Sequence, residues 1–201
     1  MPQQSPLDYL NQIAPQQVVK KPLFKGIRGV IAIGLVLVVI VSILAIVLNT
    51  TSSSQSAPGQ QLAAHLVSAK KIADGAQTHL KSSELRGVNS NLRIFFTNTN
   101  RDIATPLMAV NVSFAQQDKE VTAAETARAA STSERLENAR LNAIYDRTYA
   151  REMAFELATI MTLMQQVHKQ TNSVSLKEYL DGTYKNLEPT QKAFAEYNEG
   201  V

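Results

Sequence analysis

Three histidines, His65, His79 and His168, are the only imidazoles in this 201-residue chain. They are its natural candidates for ligands or bases near neutral pH. Fourteen residues separate His65 from His79, which places both close to one face of a helix. A zinc or di-iron centre needs more than this. Three positions before the histidines stand Leu62, Ala76 and Gln165, so the Glu-x-x-His pairs with which helical bundles hold two metals are missing. His-Glu-x-x-His is missing too. The expectation is no metal and no cofactor, with the three histidines partly exposed on helix surfaces.

The other cluster with chemical potential runs from Tyr145 to Glu156. Arg147 with Arg151, and Glu152 with Glu156, are like-charged neighbours one helical turn apart, a spacing from which a solvated helix gains nothing. The candidate site is therefore a polar bundle centre formed by Tyr145, Asp146, Tyr149, Glu152 and Glu156, in which burial would raise a carboxylate pKa. Its plain alternative is a solvated face of Arg–Glu pairs. No phosphate-cradling Gly-x-x-x-x-Gly-Lys-Ser/Thr loop, dinucleotide Gly-x-Gly-x-x-Gly or hydrolase Gly-x-Ser-x-Gly occurs. With no cysteine, thiolate metal sites and thiol nucleophiles are excluded. The residues point to no enzyme activity.

The elements that must position these groups are helical. Residues 107–181 contain neither Gly nor Pro, and Ala123 to Ala130 is strongly helix-favouring. Apolar residues keep helical spacing in four stripes. The first holds Leu62, Leu66, Ala69, Ala73, Ala76 and Leu80. The second runs from Leu85 through Leu92, Phe95 and Phe96 to Ile103. The third runs from Ile144 through Phe155, Ile160 and Met164 to Val167, and the last from Tyr179 through Leu187 to Tyr197. Ser82-Ser83 before Glu84 is a helix start, and Pro106 kinks or ends the helix that follows. Ser131-x-x-Glu134 and Ser175-x-x-Glu178 have the form of capping boxes, so a helix boundary is expected near residues 131–133 and another at Ser175. Thr171-Asn172-Ser173 separates the last two elements, and Pro189 kinks or breaks the final one. The predicted fold is all-α, an antiparallel bundle of four or five helices over residues 60–198.

Ahead of the bundle lies Val30 to Leu48, 19 residues without a charge. At about 1.5 Å of rise per residue it spans the roughly 30 Å hydrocarbon core of a bilayer. The chain's net charge of +3 belongs wholly to residues 1–29, where Lys20, Lys21, Lys25 and Arg28 face only Asp8. Residues 49–201 carry 16 basic and 16 acidic side chains. This asymmetry orients the span with residues 1–29 as a disordered cytoplasmic tail and the bundle outside the cytoplasm. Residues 49–59, rich in Ser and Thr, read as a flexible tether. A neutral bundle has no field to attract a phosphate backbone, so nucleic acid is not an expected partner.

Two stretches resemble a ferritin-like four-helix domain of bacterial envelope proteins, a family of unknown function. One is Ser82-Ser83-Glu84-Leu85-Arg86, followed by Thr97 and Asn100. The other is Tyr145-Asp146-Arg147-x-Tyr149, similar to that family's Phe-Asp-x-x-Tyr element, with Leu176-Lys177-x-Tyr179 in a comparable place. The resemblance covers roughly residues 60–198 and implies a helical bundle. The family's histidines would fall near Phe96, Leu157 and Thr190, so its implied metal binding does not carry over. The expected protein is a single-pass plasma-membrane protein whose partners are the bilayer and another envelope protein, with an extracytoplasmic binding or scaffolding bundle. The alternative is small-molecule or metal binding in the bundle core.

Overall fold

The computed structural model describes residues 56–197. The expected cytoplasmic tail and membrane helix lie outside the described residues, with the orienting Lys20, Lys21, Lys25 and Arg28. Among the described residues every regular element is an α-helix, and none is long and apolar enough to cross a membrane. The helices are α1 (Ala57–Ala76), α2 (Ser83–Asp102), the one-turn α3 (Ala104–Met108), α4 (Lys119–Leu141), α5 (Tyr145–Gln170) and α6 (Val174–Ala195).

Four helices enclose the core. α1 packs on α2 and α5, and α6 packs on α5 and α2, so α1, α2, α6 and α5 form a closed four-membered ring. Cross-contacts fix the directions. Asp74 pairs with Arg93 while Gln77 reaches Ser90, and His168 pairs with Asp181 while Gln191 reaches Ala154, so each pair runs antiparallel. The interior is filled by Leu62 and Leu66 from α1, Leu92 and Phe96 from α2, Leu157 and Ile160 from α5, and Leu180, Leu187 and Phe194 from α6. Each such side chain stabilises the fold by about 1.5–3 kcal/mol on leaving water. α1 and α5 each meet three long helices, and the buried alanines Ala63, Ala69, Ala73 and Ala76 of α1 let its neighbours approach.

α4 stands outside this ring, laid along α1 and α5. Its Ala-rich sequence has strong helix propensity but little apolar surface, and only Thr132, Leu136 and Ala139 are buried. All three lie in its C-terminal half. From Lys119 to Ser131 nothing on α4 is buried, so another force must hold that half in place.

The helix boundaries correct several expectations. α1 begins at Ala57, with Pro58 in its first turn, so three residues read as tether are helical. Ser82 caps α2, its hydroxyl accepting the Leu85 N–H at 3.3 Å. α2 stops at Asp102, and Pro106 sits within α3. No boundary occurs near 131–133: helix propensity carries α4 through, and Ser131 Oγ accepts from Arg135 Nη1 at 2.8 Å instead of capping a helix. The real break is at Asn142–Ile144, where Ala143 adopts φ 58°. Likewise α6 is capped by Ser173, whose Oγ accepts the Leu176 N–H at 3.3 Å, not by Ser175. Pro189 lies inside α6 without ending it.

Ala143 carries a left-handed backbone with a Cβ, a strained combination that glycine relieves. Ala143→Gly is expected to stabilise the fold by about 0.5–1 kcal/mol, read as a rise in the thermal unfolding midpoint.

Candidate functional site

The five residues of the expected polar centre are all buried, but they divide between two places on α5. Tyr145, Asp146 and Tyr149 belong to its first turns. The Asp146 carboxylate accepts the backbone N–H of Lys81, 3.1 Å from each oxygen, and that of Ser82 at 2.6 Å. Asp146 thus ties the turn that starts α2 to the start of α5, which is a structural task. Tyr149 stacks on Tyr145, meets Phe194 edge-on, and donates its hydroxyl to Asn89 Oδ1. Asn89 in turn donates to Ala73 O at 2.9 Å and Gln77 Oε1 at 2.6 Å, so a buried amide ties α1, α2 and α5 together. Burial pushes the Tyr145 hydroxyl up to about 12 and Tyr149 well above its usual value, so neither is a base in this setting.

Glu152 and Glu156 lie one and two turns further along α5 and face α4. Glu152 accepts from Arg135 Nη2 at 2.7 Å, and the same guanidinium reaches Thr132 Oγ1 at 3.0 Å. Glu156, only 1% exposed, joins a closed set of four side chains from three helices. His65 on α1 has Nδ1 2.8 Å from Glu125 Oε2 and Nε2 3.6 Å from Glu156 Oε2. Arg128 on α4 completes the circuit: Nε donates to Glu125 Oε2 at 3.0 Å, Nη2 to Glu125 Oε1, and Nη1 to Glu156 Oε1. This ionic circuit joins the unburied half of α4 to α1 and α5.

The two carboxylates respond to the same surroundings in opposite ways. Burial pushes both upward. At Glu125 the hydrogen bonds from His65 and Arg128 outweigh burial and bring it down to about 2. At Glu156 burial prevails over the attraction of Arg128 and His65, and the carboxyl stays raised. Among the described residues no three His, Asp or Glu side chains converge as metal ligands would. Glu125 and Glu156 face the two different nitrogens of the His65 ring.

The depressed Glu125 makes an acid-side prediction. Its folded-state pKa lies below the unfolded value, so its contribution is present above about pH 4.5 and is lost as pH falls toward 2. A loss on the order of 2–3 kcal/mol is expected over that interval, measured as a falling urea midpoint. Glu125→Gln should flatten this part of the profile.

His65 corrects the sequence reading most sharply: it is buried, not partly exposed. Its place in the Leu62, Leu66, Ala69 stripe carried the signal, since residue 65 falls on the same helix face. His79 is exposed and lies beyond the end of α1, so the two histidines do not share a helix face. His168 is half-buried, with Nε2 3.4 Å from Asp181. The sequence does not mark out Glu125 and Arg128, because an i,i+3 pair in an Ala-rich helix has the pattern of a solvated pair. No family model matches the chain, and no curated protein and no solved structure is found similar to it.

Proposed function

We propose that this protein is a single-pass membrane protein, its N-terminus in the cytoplasm, whose helical bundle serves outside the cytoplasm as a binding or scaffolding module for another protein of the cell envelope. The observation that carries the reading is the uncharged run from Val30 to Leu48 with Lys20, Lys21, Lys25 and Arg28 on one side only. The electroneutral composition of residues 49–201 supports it, because such a domain has no charge-driven affinity for polyanions or for its own anionic membrane. In the bundle, the buried carboxylates Asp146, Glu152 and Glu156 are each bonded to a neighbouring helix, which supports a structural framework over a reaction centre. The ferritin-like kinship is proposed with it. Its two resembling stretches meet in space, where Asp146 accepts the Ser82 N–H.

The absence of native cysteine makes the topology directly testable. A thiol introduced at exposed Ala127 should react with a membrane-impermeant maleimide on intact cells. One introduced at Gln16 should react only after permeabilisation. The reverse pattern would dispose of the reading. Photocrosslinking from the exposed face of α4 in whole cells then identifies the partner.

A further inference from the structure

His65 lies between two carboxylates, and this arrangement sets a proton count. Glu125 is held ionised and accepts at His65 Nδ1, which fixes the ring proton there. That leaves Nε2 facing Glu156 Oε2 across 3.6 Å, both atoms buried and neither with a hydrogen-bond partner. A neutral imidazole opposite an ionised Glu156 would set a lone pair against a negative oxygen where neither atom reaches water. The circuit of Glu125, Arg128, Glu156 and neutral His65 would also hold one uncompensated negative charge. A single added proton removes both faults: it lies between Nε2 and Oε2, supplies the missing hydrogen bond and brings the circuit to neutrality.

We infer that His65 and Glu156 share one proton, and that this proton latches the N-terminal half of α4 onto the bundle. The site is complete within three helices. α1 contributes His65, α5 contributes Glu156 and Glu152, and α4 contributes Glu125, Arg128 and Arg135. Arg135 is consumed by Glu152, so it leaves the proton count of the circuit unchanged. No residue from Lys119 to Ser131 is buried, so these ionic contacts are the chief hold on that half of α4. The C-terminal half keeps Leu136 and Ala139 in the core and stays in place. The raised carboxyl of Glu156 agrees with a group that holds its proton beyond the usual range. Loss of the proton leaves a buried net charge, and the segment opens about a point near Ser131. The device acts through the bundle alone and is independent of the membrane topology.

The test is hydrogen exchange of the full-length chain in nanodiscs from about pH 5 to about pH 9, with intrinsic exchange rates divided out. Protection of residues 119–131 is expected to fall up to about tenfold per pH unit above a single midpoint, the slope of one-proton linkage. Residues 132–141 and α6 should hold their protection. Glu156→Gln should abolish the slope, because its amide can donate to Nε2 at every pH while its carbonyl accepts from Arg128. Protection of 119–131 that is flat in the native chain, or an unchanged slope in E156Q, overturns the proposal. A second readout needs no variant: the His65 Nε2 resonance should shift with the same midpoint as the exchange. A resonance that stays constant, or that moves with a different midpoint, also overturns it.

Discussion

Arg128→Ala is expected to lower the unfolding free energy by about 3–5 kcal/mol, the range for removing one member of a buried ion pair and leaving the other behind. Arg128 is bound to two carboxylates at once, and one of them, Glu156, is almost wholly withdrawn from water. Without the guanidinium, Glu125 keeps His65 and partial access to solvent. Glu156 faces His65 at Oε2 but keeps neither a donor to Oε1 nor a route to water, and the uncompensated charge is relieved only by a further proton. The loss should therefore be greatest in neutral and alkaline solution and smaller in acid. Adding Glu156→Gln to Arg128→Ala should recover part of it, because the stranded charge is gone although the packing of the arginine stem is not restored. Denaturant unfolding of the two single variants and the double variant gives the coupling. Single-variant losses that simply add would mean that Arg128 acts through its aliphatic stem rather than through Glu156.

This circuit also marks the limit of what the sequence discloses. Apolar periodicity shows the buried faces of α1, α2, α5 and α6 because each helix repeats its signal over several turns. The like-charge spacing of Glu152 and Glu156 shows that a solvated surface is a poor setting for them, and both are buried. Their partners are a different matter. Arg128 lies 28 positions from Glu156, on a helix whose own pattern is that of a solvated rod. Only the packing of α4 along α1 and α5 joins them. The two capping-box sequences mislead for a related reason. A Ser-x-x-Glu is a cap only where the chain enters a helix, and both Ser131 and Ser175 are already inside one. Ala143 gives no local warning of its positive φ, so the α4–α5 turn is visible only in three dimensions.

The second large effect belongs to Asn89 of α2, which meets Tyr149 near the start of α5. Asn89→Ala is expected to cost about 2–4 kcal/mol, as it deletes side-chain volume from the core and leaves a buried phenol without an acceptor. Both Asn89 and Tyr149 are fully buried, so no water takes up the lost partner. Tyr149→Phe is milder, at about 1–3 kcal/mol, because it preserves the ring contacts with Tyr145 and Phe194 and leaves only Asn89 Oδ1 unpaired. The two changes are strongly non-additive if the hydrogen bond is the reason for the burial. Once Tyr149 is Phe, replacing Asn89 strands no hydroxyl, so the double variant should be more stable than the sum of the single losses predicts by about 1–2 kcal/mol. Gln77, which accepts from Asn89 and donates to Ser90, has partial exposure and can turn to solvent, so it should contribute little to the cycle. A coupling near zero would show that Asn89 supports the fold through its bonds to α1 alone. A large coupling would make the Tyr149–Asn89 bond the polar contact that registers α5 against α2.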